Sequence, residues 1–272
     1  MTVDSFADAQ AWYDRAQSHI ADYRSMAYSE DDRIWTIHSR NLPDGKVSYK
    51  LRFNRDLLVR LKPVACEAAS ALFQALDNIV SVAARDVGIA REDSRAISWP
   101  WGLADVPDPN APRPVTLSID KKMRELDKIG VPAPWLDVIR ETFAQHVGGL
   151  VHIDVVKEVS LSGKHWELIR TTGGTNALAW TLPGATQQTH AEIPPDHFDT
   201  EDEYAFYEGA PINVPLLIMT KTRLSAPGRL FEPEPTSAFG YASRFVETAL
   251  EKARALWLET RTAHEASAEA SA

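Results

Sequence analysis

Asp56-Leu-Leu-Val-Arg60-Leu-Lys-Pro-Val-Ala65-Cys-Glu-Ala-Ala-Ser70-Ala-Leu-Phe-Gln-Ala75-Leu-Asp-Asn-Ile-Val80-Ser-Val-Ala-Ala-Arg85-Asp-Val87 is the stretch on which the fold turns. Leu58, Leu61, Ala65, Leu72, Leu76, Ile79 and Ala83 recur at three- and four-residue steps, the period of one helix face. A run this long predicts one amphipathic helix over 56–87. Gly88 supplies its end, because glycine tolerates the left-handed backbone that closes a helix. Ala65, Ala68, Ala69, Ala71 and Ala75 let a second helix approach closely, so this helix is the expected surface of a homodimer. Pro63 lacks an amide proton and is expected to kink the helix or mark its start.

Upstream, Phe6, Trp12, Ala16, His19, Ile20 and Tyr23 share a face of a helix over 5–27, capped by Asp4 or Ser5. Two alternating runs follow, 33–40 and 46–53, joined through Asn41-Leu-Pro-Asp-Gly45, whose Asp-Gly suits a hairpin turn. Val47, Tyr49, Leu51 and Phe53 point to one face and Lys46, Ser48, Lys50 and Arg52 to the other. Downstream, residues 98–116 form a proline-rich connection. Helices are expected over 119–129, 133–147 and 153–160, with Gly148-Gly149 stopping the second. The period then changes to two, predicting strands over 166–172, 177–182, 187–193 and 214–224, with Thr172-Gly-Gly-Thr175 as a turn. A last helix is expected over 237–262 and a disordered tail over 263–272. The fold class is therefore α+β: a helical bundle around one long helix, an N-terminal β-hairpin, and a C-terminal antiparallel sheet closed by a last helix. One domain spans 1–262, helical with the hairpin over 1–160 and mainly β over 161–236. No internal repeat divides it.

The 272 residues are 44% hydrophobic and 25% charged, an ordinary globular balance. A formal charge of −9 argues against a broad electrostatic grip on RNA. Cys66 stands alone, so no internal disulfide forms. The first residues lack the basic start and apolar core of a signal peptide, and no stretch reaches the roughly 20 apolar residues of a membrane span. These features predict a cytoplasmic protein with no membrane partner.

Few residue groupings carry chemistry. His190, Glu192, His197 and Asp199, in an acidic run to Glu203, are the types that hold a divalent ion. Ile193-Pro-Pro195 ahead of that charge run makes a solvated connection the expectation instead. Gly163-Lys164 lacks the earlier glycine of a phosphate loop, and Gly173-Gly174 lacks the spacing of a dinucleotide fingerprint. No cofactor is expected. Trp99 and Trp101 flank Pro100. Paired indoles can stack bases, but aromatics in a connection more often pin it to the core.

The segment Leu72-Phe-Gln-Ala-Leu-Asp-Asn-Ile79 resembles the Leu-Arg-Ser-Ala-Leu-Asp-His-Leu segment of a large group of uncharacterised bacterial proteins with a HEPN-like helical core. The wider order is similar too: an N-terminal helix, a hairpin, the long helix and an aromatic-proline segment matching Trp99-Pro-Trp101. Gln145-His146 stands where those proteins have Gln-Pro at a helix end, and Gly163-Lys-His-Trp166 where they have Asp-Lys-His-Arg. The resemblance covers nearly the whole chain through short motifs.

In catalytic members of that superfamily, the resemblance implies RNA cleavage by a helix-borne arginine and a histidine four to six residues later, acting across a dimer. Histidine moves the proton and arginine stabilises the phosphorane charge. Here the arginine position is Phe73 and the histidine position Asn78, and neither can do that work. Lys164 and His165 match the second motif, whose arginine is Trp166 here. Arg33 with His38, on a predicted strand, and Arg140 with His146, on a predicted helix, have the required separation, but such pairs arise by chance at about this rate. Asp77 matches the family segment, and its simplest role is a hydrogen bond or ion pair, with Lys164-His165 as a candidate partner. The expectation is a non-catalytic binding or scaffold module. The rival is a metal-independent endoribonuclease of toxin or defence type using His165, His146 or Asp77. A small-molecule enzyme using the acidic run stands behind both.

Overall fold

The computed structural model describes residues 5–29, 33–89, 97–102, 119–162, 176–181, 188–193, 197, 201–218, 224 and 231–270. It is an α+β protein whose described residues form six α-helices and small antiparallel sheets. Helix α1 spans Ala7–Ala27, strands β1 and β2 Trp35–Asn41 and Val47–Phe53, and helix α2 Arg55–Asp86. Then come α3 (Asp120–Lys128), α4 (Ala133–Gln145) and α5 (Leu150–Ser162). Strands β3 (Asn176–Thr181), β4 (Gln188–Ile193), β5 (Glu203–Gly209) and β6 (Asn213–Ile218) precede α6 (Pro235–Ala270).

Helix α2 starts because the Asn54 side chain accepts from the Leu57 amide at 3.0 Å, satisfying an otherwise orphaned donor. It ends at Gly88, where φ is 74°. Pro63 does not mark its start. The helix runs through it on the exposed side, beside exposed Val59, where a lost intrahelical bond strands no buried carbonyl. Helix α2 packs against α1, α5 and α6. Ala65, Ala68, Ala69, Ala71 and Ala75 are all buried at 0–1% exposure within the single chain, and α1 meets α2 with its own Ala9 and Ala16 buried. Small residues on both helices permit that approach. The alanine-rich face expected to receive a second copy is thus covered within the chain, and the exposed residues of 56–87 are Asp56, Val59, Arg60, Pro63, Glu67, Gln74 and, at its end, Arg85, Asp86 and Val87.

Helix α5 begins earlier than expected. Helix α4 does stop just ahead of Gly148-Gly149, at Gln145, but the glycines lie in a 3-10 turn, Val147–Gly149, that feeds directly into Leu150. A Cβ on Gly149 would lie 2.5 Å from Cδ1 of Tyr241 on α6, so glycine is there for close approach, not termination. Gly149→Ala should therefore destabilise the protein by about 1–3 kcal/mol in urea unfolding, the range for overpacking. An unchanged midpoint would mean that Tyr241 swings away freely. Helix α6 also corrects the sequence reading, running to Ala270 where a disordered tail over 263–272 was expected. Its start is capped by Glu234, which accepts from the Thr236 and Ser237 amides at 2.9 and 2.7 Å and from the Tyr28 hydroxyl at 3.0 Å. Burial alone would raise this carboxyl, but those hydrogen bonds outweigh it and hold it below the usual glutamate range.

The sheets differ from expectation in one strand. β5 falls in and just after the acidic run read as a solvated connection, and it joins the hairpin as a third strand in the order β1-β2-β5. Tyr204, Phe206 and Tyr207 supply its strand character and pack inward, Phe206 and Tyr207 lying 6.3 and 6.1 Å from Tyr49. The charges pin it: Glu203 meets Lys50 at 3.0 Å and Asp202 meets Arg55 at 2.8 Å. Strands β4, β3 and β6 form the second sheet. The strand expected over 166–172 and the turn after it lie outside the described residues. No helix among the described residues is long and apolar enough to cross a membrane.

Candidate functional site

Four of the residues that sequence reading singled out, Phe73, Asp77, Trp99 and Trp101, come together where the 97–102 segment meets α2, α4, α5 and α6. Asp77 on α2 accepts the Trp99 backbone amide through Oδ1 at 2.8 Å. The Trp99 ring, 4% exposed, lies 6.4 Å from Phe143 of α4 and 5.9 Å from Phe245 of α6. Trp101 turns the other way along the same aromatic cluster, 5.2 Å from Phe143 and 5.9 Å from Phe73. Its indole Nε1 donates to Oδ1 of Asp154, an α5 carboxylate only 1% exposed, at 2.9 Å. The two indoles therefore anchor the segment rather than present it as a stacking platform.

Lys157, one turn along α5, completes the group. Its ammonium lies 4.9 Å from the centre of the Phe73 ring. Burial pushes the Asp77 carboxyl up, opposed by the Trp99 hydrogen bond and the Lys157 charge. Burial pushes Lys157 down, opposed by Asp77 and Glu158. Each group thus restrains the shift of the other, the behaviour of a pair that holds charge in a poorly solvated setting. Asp77→Ala should leave burial less opposed at Lys157, so its amine, followed by NMR of the ε-methylene, should titrate at lower pH than in the wild type. Stability should fall by about 1–3 kcal/mol as the Trp99 amide loses its acceptor. An unmoved Lys157 would refute the coupling.

Asp154 and Lys157 went unnoticed in the sequence. The signal was present: an acid inside the apolar run Leu150-Val-His-Ile-Asp-Val-Val156 needs a buried partner. The partner expected for Asp77, Lys164-His165, lies outside the described residues. At the two positions that matter for the resemblance, Phe73 is buried in the aromatic cluster. Asn78 spends its amide on the Gln74 carbonyl of its own helix at 2.8 Å.

Arg140 and His146 share α4 and its C-terminal end but face different neighbours. Arg140 is exposed and donates to Asp137 at 2.7 Å. His146 is half-buried, shares a hydrogen bond with Thr248 of α6 at 3.0 Å and meets the edge of Phe245 at 5.5 Å. Burial, helped by the Arg244 charge, holds His146 below the ordinary histidine range. A third pair at the same kind of separation was passed over. On α1, Arg15 Nε lies 3.4 Å from His19 Nε2, and Glu67 of α2 lies 3.5 Å from that same nitrogen. One nitrogen serves both contacts, so a neutral ring accepts from Arg15 and a protonated ring faces Glu67. A helical spacing of four was the signal that reading missed.

Of the acidic-run ligand set, Asp199 and the His190 side chain lie outside the described residues. His197 bonds the Glu203 carbonyl at 2.8 Å, and exposed Glu192 lends its carbonyl to the Tyr204 hydroxyl at 3.1 Å. Among the described residues no three histidine, cysteine or acidic side chains assemble as metal ligands. Compared with protein-family models, with curated proteins and with solved structures, the chain finds no match.

Proposed function

We propose that this chain is a HEPN-like, non-catalytic binding or scaffold module of the bacterial cytoplasm, its helical bundle built around α2 and closed by α6. One observation carries the reading. At the two α2 positions where catalytic members of that superfamily place arginine and histidine, Phe73 fills an aromatic core and Asn78 is tied to the Gln74 carbonyl one turn back. Neither side chain can move a proton or balance a phosphorane charge near neutral pH. Asp77, the acid of the same segment, is engaged in fastening Trp99.

A second reading, cleavage of RNA, has one specific observation in its favour. His19 lies in reach of both Arg15 and Glu67, an imidazole between a guanidinium and a carboxylate on two adjoining helices. A single experiment separates the two readings. The purified protein is incubated with total and structured RNA, beside His19→Ala, His146→Ala and His165→Ala. The expected result is intact RNA throughout. Cleavage by the wild type that one of the variants loses overturns the non-catalytic reading and names the residue responsible.

A further inference from the structure

Among the described residues β1 is an edge strand of the hairpin sheet, paired with β2 over all 7 of its residues. The hydrogen bonds at the two ends of this ladder show which way its amides face. Asn54 donates to the Ile34 carbonyl at 2.8 Å, and Leu42 donates to the Lys46 carbonyl at 2.8 Å. In an antiparallel pair such bonds fall on alternate residues, so 34, 36, 38, 40 and 42 face β2. Ile37, Ser39 and Asn41 therefore turn their backbone groups to the open edge. No partner is recorded for those groups among the described residues.

Natural edges are blunted by proline, bulges, inward charges or short length. The opposite edge of this sheet follows that rule: β5 is registered to β2 through a bulge and is bordered by Glu203 and Glu208. β1 has no proline, no bulge and no inward charge. Its inner face is also incompletely covered, since Ile37 is only half-buried although it lies opposite fully buried Leu51. A further strand would complete both the ladder and this apolar row.

The outer face states what that strand must carry. The ionisable side chains of β1 are His38 and Arg40, both exposed, with Lys50 and Arg52 behind them on β2. The acids of this face lie on β5, at the far edge: Glu203 is held by Lys50, and Glu208 lies across Ser48 from Arg40. This is a basic strip on a chain whose net charge is −9. A second copy pairing antiparallel about the centre of β1 would set His38 against His38 and Arg40 against Thr36, with no acid anywhere on the added strand. We infer that β1 is a docking edge for an extended segment of another protein that alternates apolar and acidic residues, the apolar ones covering Ile37 and the acidic ones facing His38 and Arg40. The inference stands on the sheet alone. RNA cleavage would overturn the reading above and leave this one untouched.

The test is binding of a fluorescein-labelled heptapeptide of alternating valine and glutamate, read by anisotropy, against a counterpart with lysine for glutamate. The glutamate peptide is expected to bind and to slow amide exchange at Ile37, Ser39 and Asn41. Ser39→Pro removes an open-edge donor without touching the β2 ladder. It should weaken binding roughly tenfold or more, with circular dichroism unchanged. Arg40→Glu keeps the backbone and should reverse the preference toward the lysine peptide, which keeps the question decidable if the proline variant misfolds. No binding, or equal binding of the two peptides, overturns the inference. So does a concentration-dependent dimer that Ser39→Pro abolishes, because the edge would then belong to a second copy.

Discussion

Trp99→Ala should remove about 3–5 kcal/mol of folding stability, the range for truncating a buried aromatic ring. The ring is 4% exposed and wedged against Phe143 and Phe245, so its removal leaves a cavity where three helices meet. The backbone bond from residue 99 to Asp77 would survive the change, which isolates the contribution of the ring. A matched pair of conservative variants sharpens the expectation. The Trp99 indole nitrogen is buried with no acceptor among the described residues, whereas the Trp101 nitrogen donates to buried Asp154. Trp99→Phe gives up volume but also removes an unsatisfied donor, so its loss should stay near 1 kcal/mol. Trp101→Phe takes the donor from a buried carboxylate and should cost about 1–3 kcal/mol more than the volume lost. Urea unfolding with unchanged m-values measures all three. If Trp101→Phe proves the cheaper of the two phenylalanine variants, the Trp101–Asp154 bond is not holding the segment.

Much of this architecture is legible in the residues, and the exceptions have physical causes. Helix α2 is observed over 55–86 against an expected 56–87, because its apolar period, its Asn54 cap and its Gly88 exit all act locally. The hairpin is legible for the same reason: alternation and an Asp-Gly turn are short-range facts. β5 was illegible because strand formation there depends on cations 150 residues away in the chain, roughly the separation of Lys50 from Glu203. Read alone, Glu201-Asp-Glu203 signals solvent; opposite Lys50 and Arg55 it signals register. The alanines of α2 show the same limit. Their size said that a helix packs there, but not whether that helix is α1 or another copy.

The centre of the molecule was half legible. Asp77 was marked as an acid needing a partner, and the Trp99-Pro-Trp101 segment as an anchor. That each answers the other, across 22 residues of sequence, is a tertiary fact with no local signature. Asp154 and Lys157 close the arrangement from a helix whose apolar run drew attention away from its two charges. The same geometry argues against reading the indoles as a nucleic-acid platform. A ring that stacks on bases must offer a face to solvent, and the Trp99 ring is buried among protein rings.

Phe245→Ala links this core to the histidine that the rival function would use. Phe245 is fully buried and touches Trp99, Trp101, Phe143 and His146, with ring separations of 5.9, 5.7, 5.1 and 5.5 Å. Truncation should cost about 3–5 kcal/mol. It should also admit water beside His146, whose ring burial holds below the ordinary value near 6.5. The sign follows from proton counting. Below about 6.5 the unfolded chain binds a proton that the folded chain resists. The neutral-ring contribution is therefore intact above that value and is lost as pH falls from about 6.5 toward the depressed folded value. In Phe245→Ala the His146 titration should move up toward the ordinary value, and stability should lose part of its dependence on pH across that window. Histidine proton NMR and urea unfolding at several pH values check both halves. A destabilised variant with an unshifted His146 would show that something other than this ring disfavours its protonation, most directly the Arg244 charge.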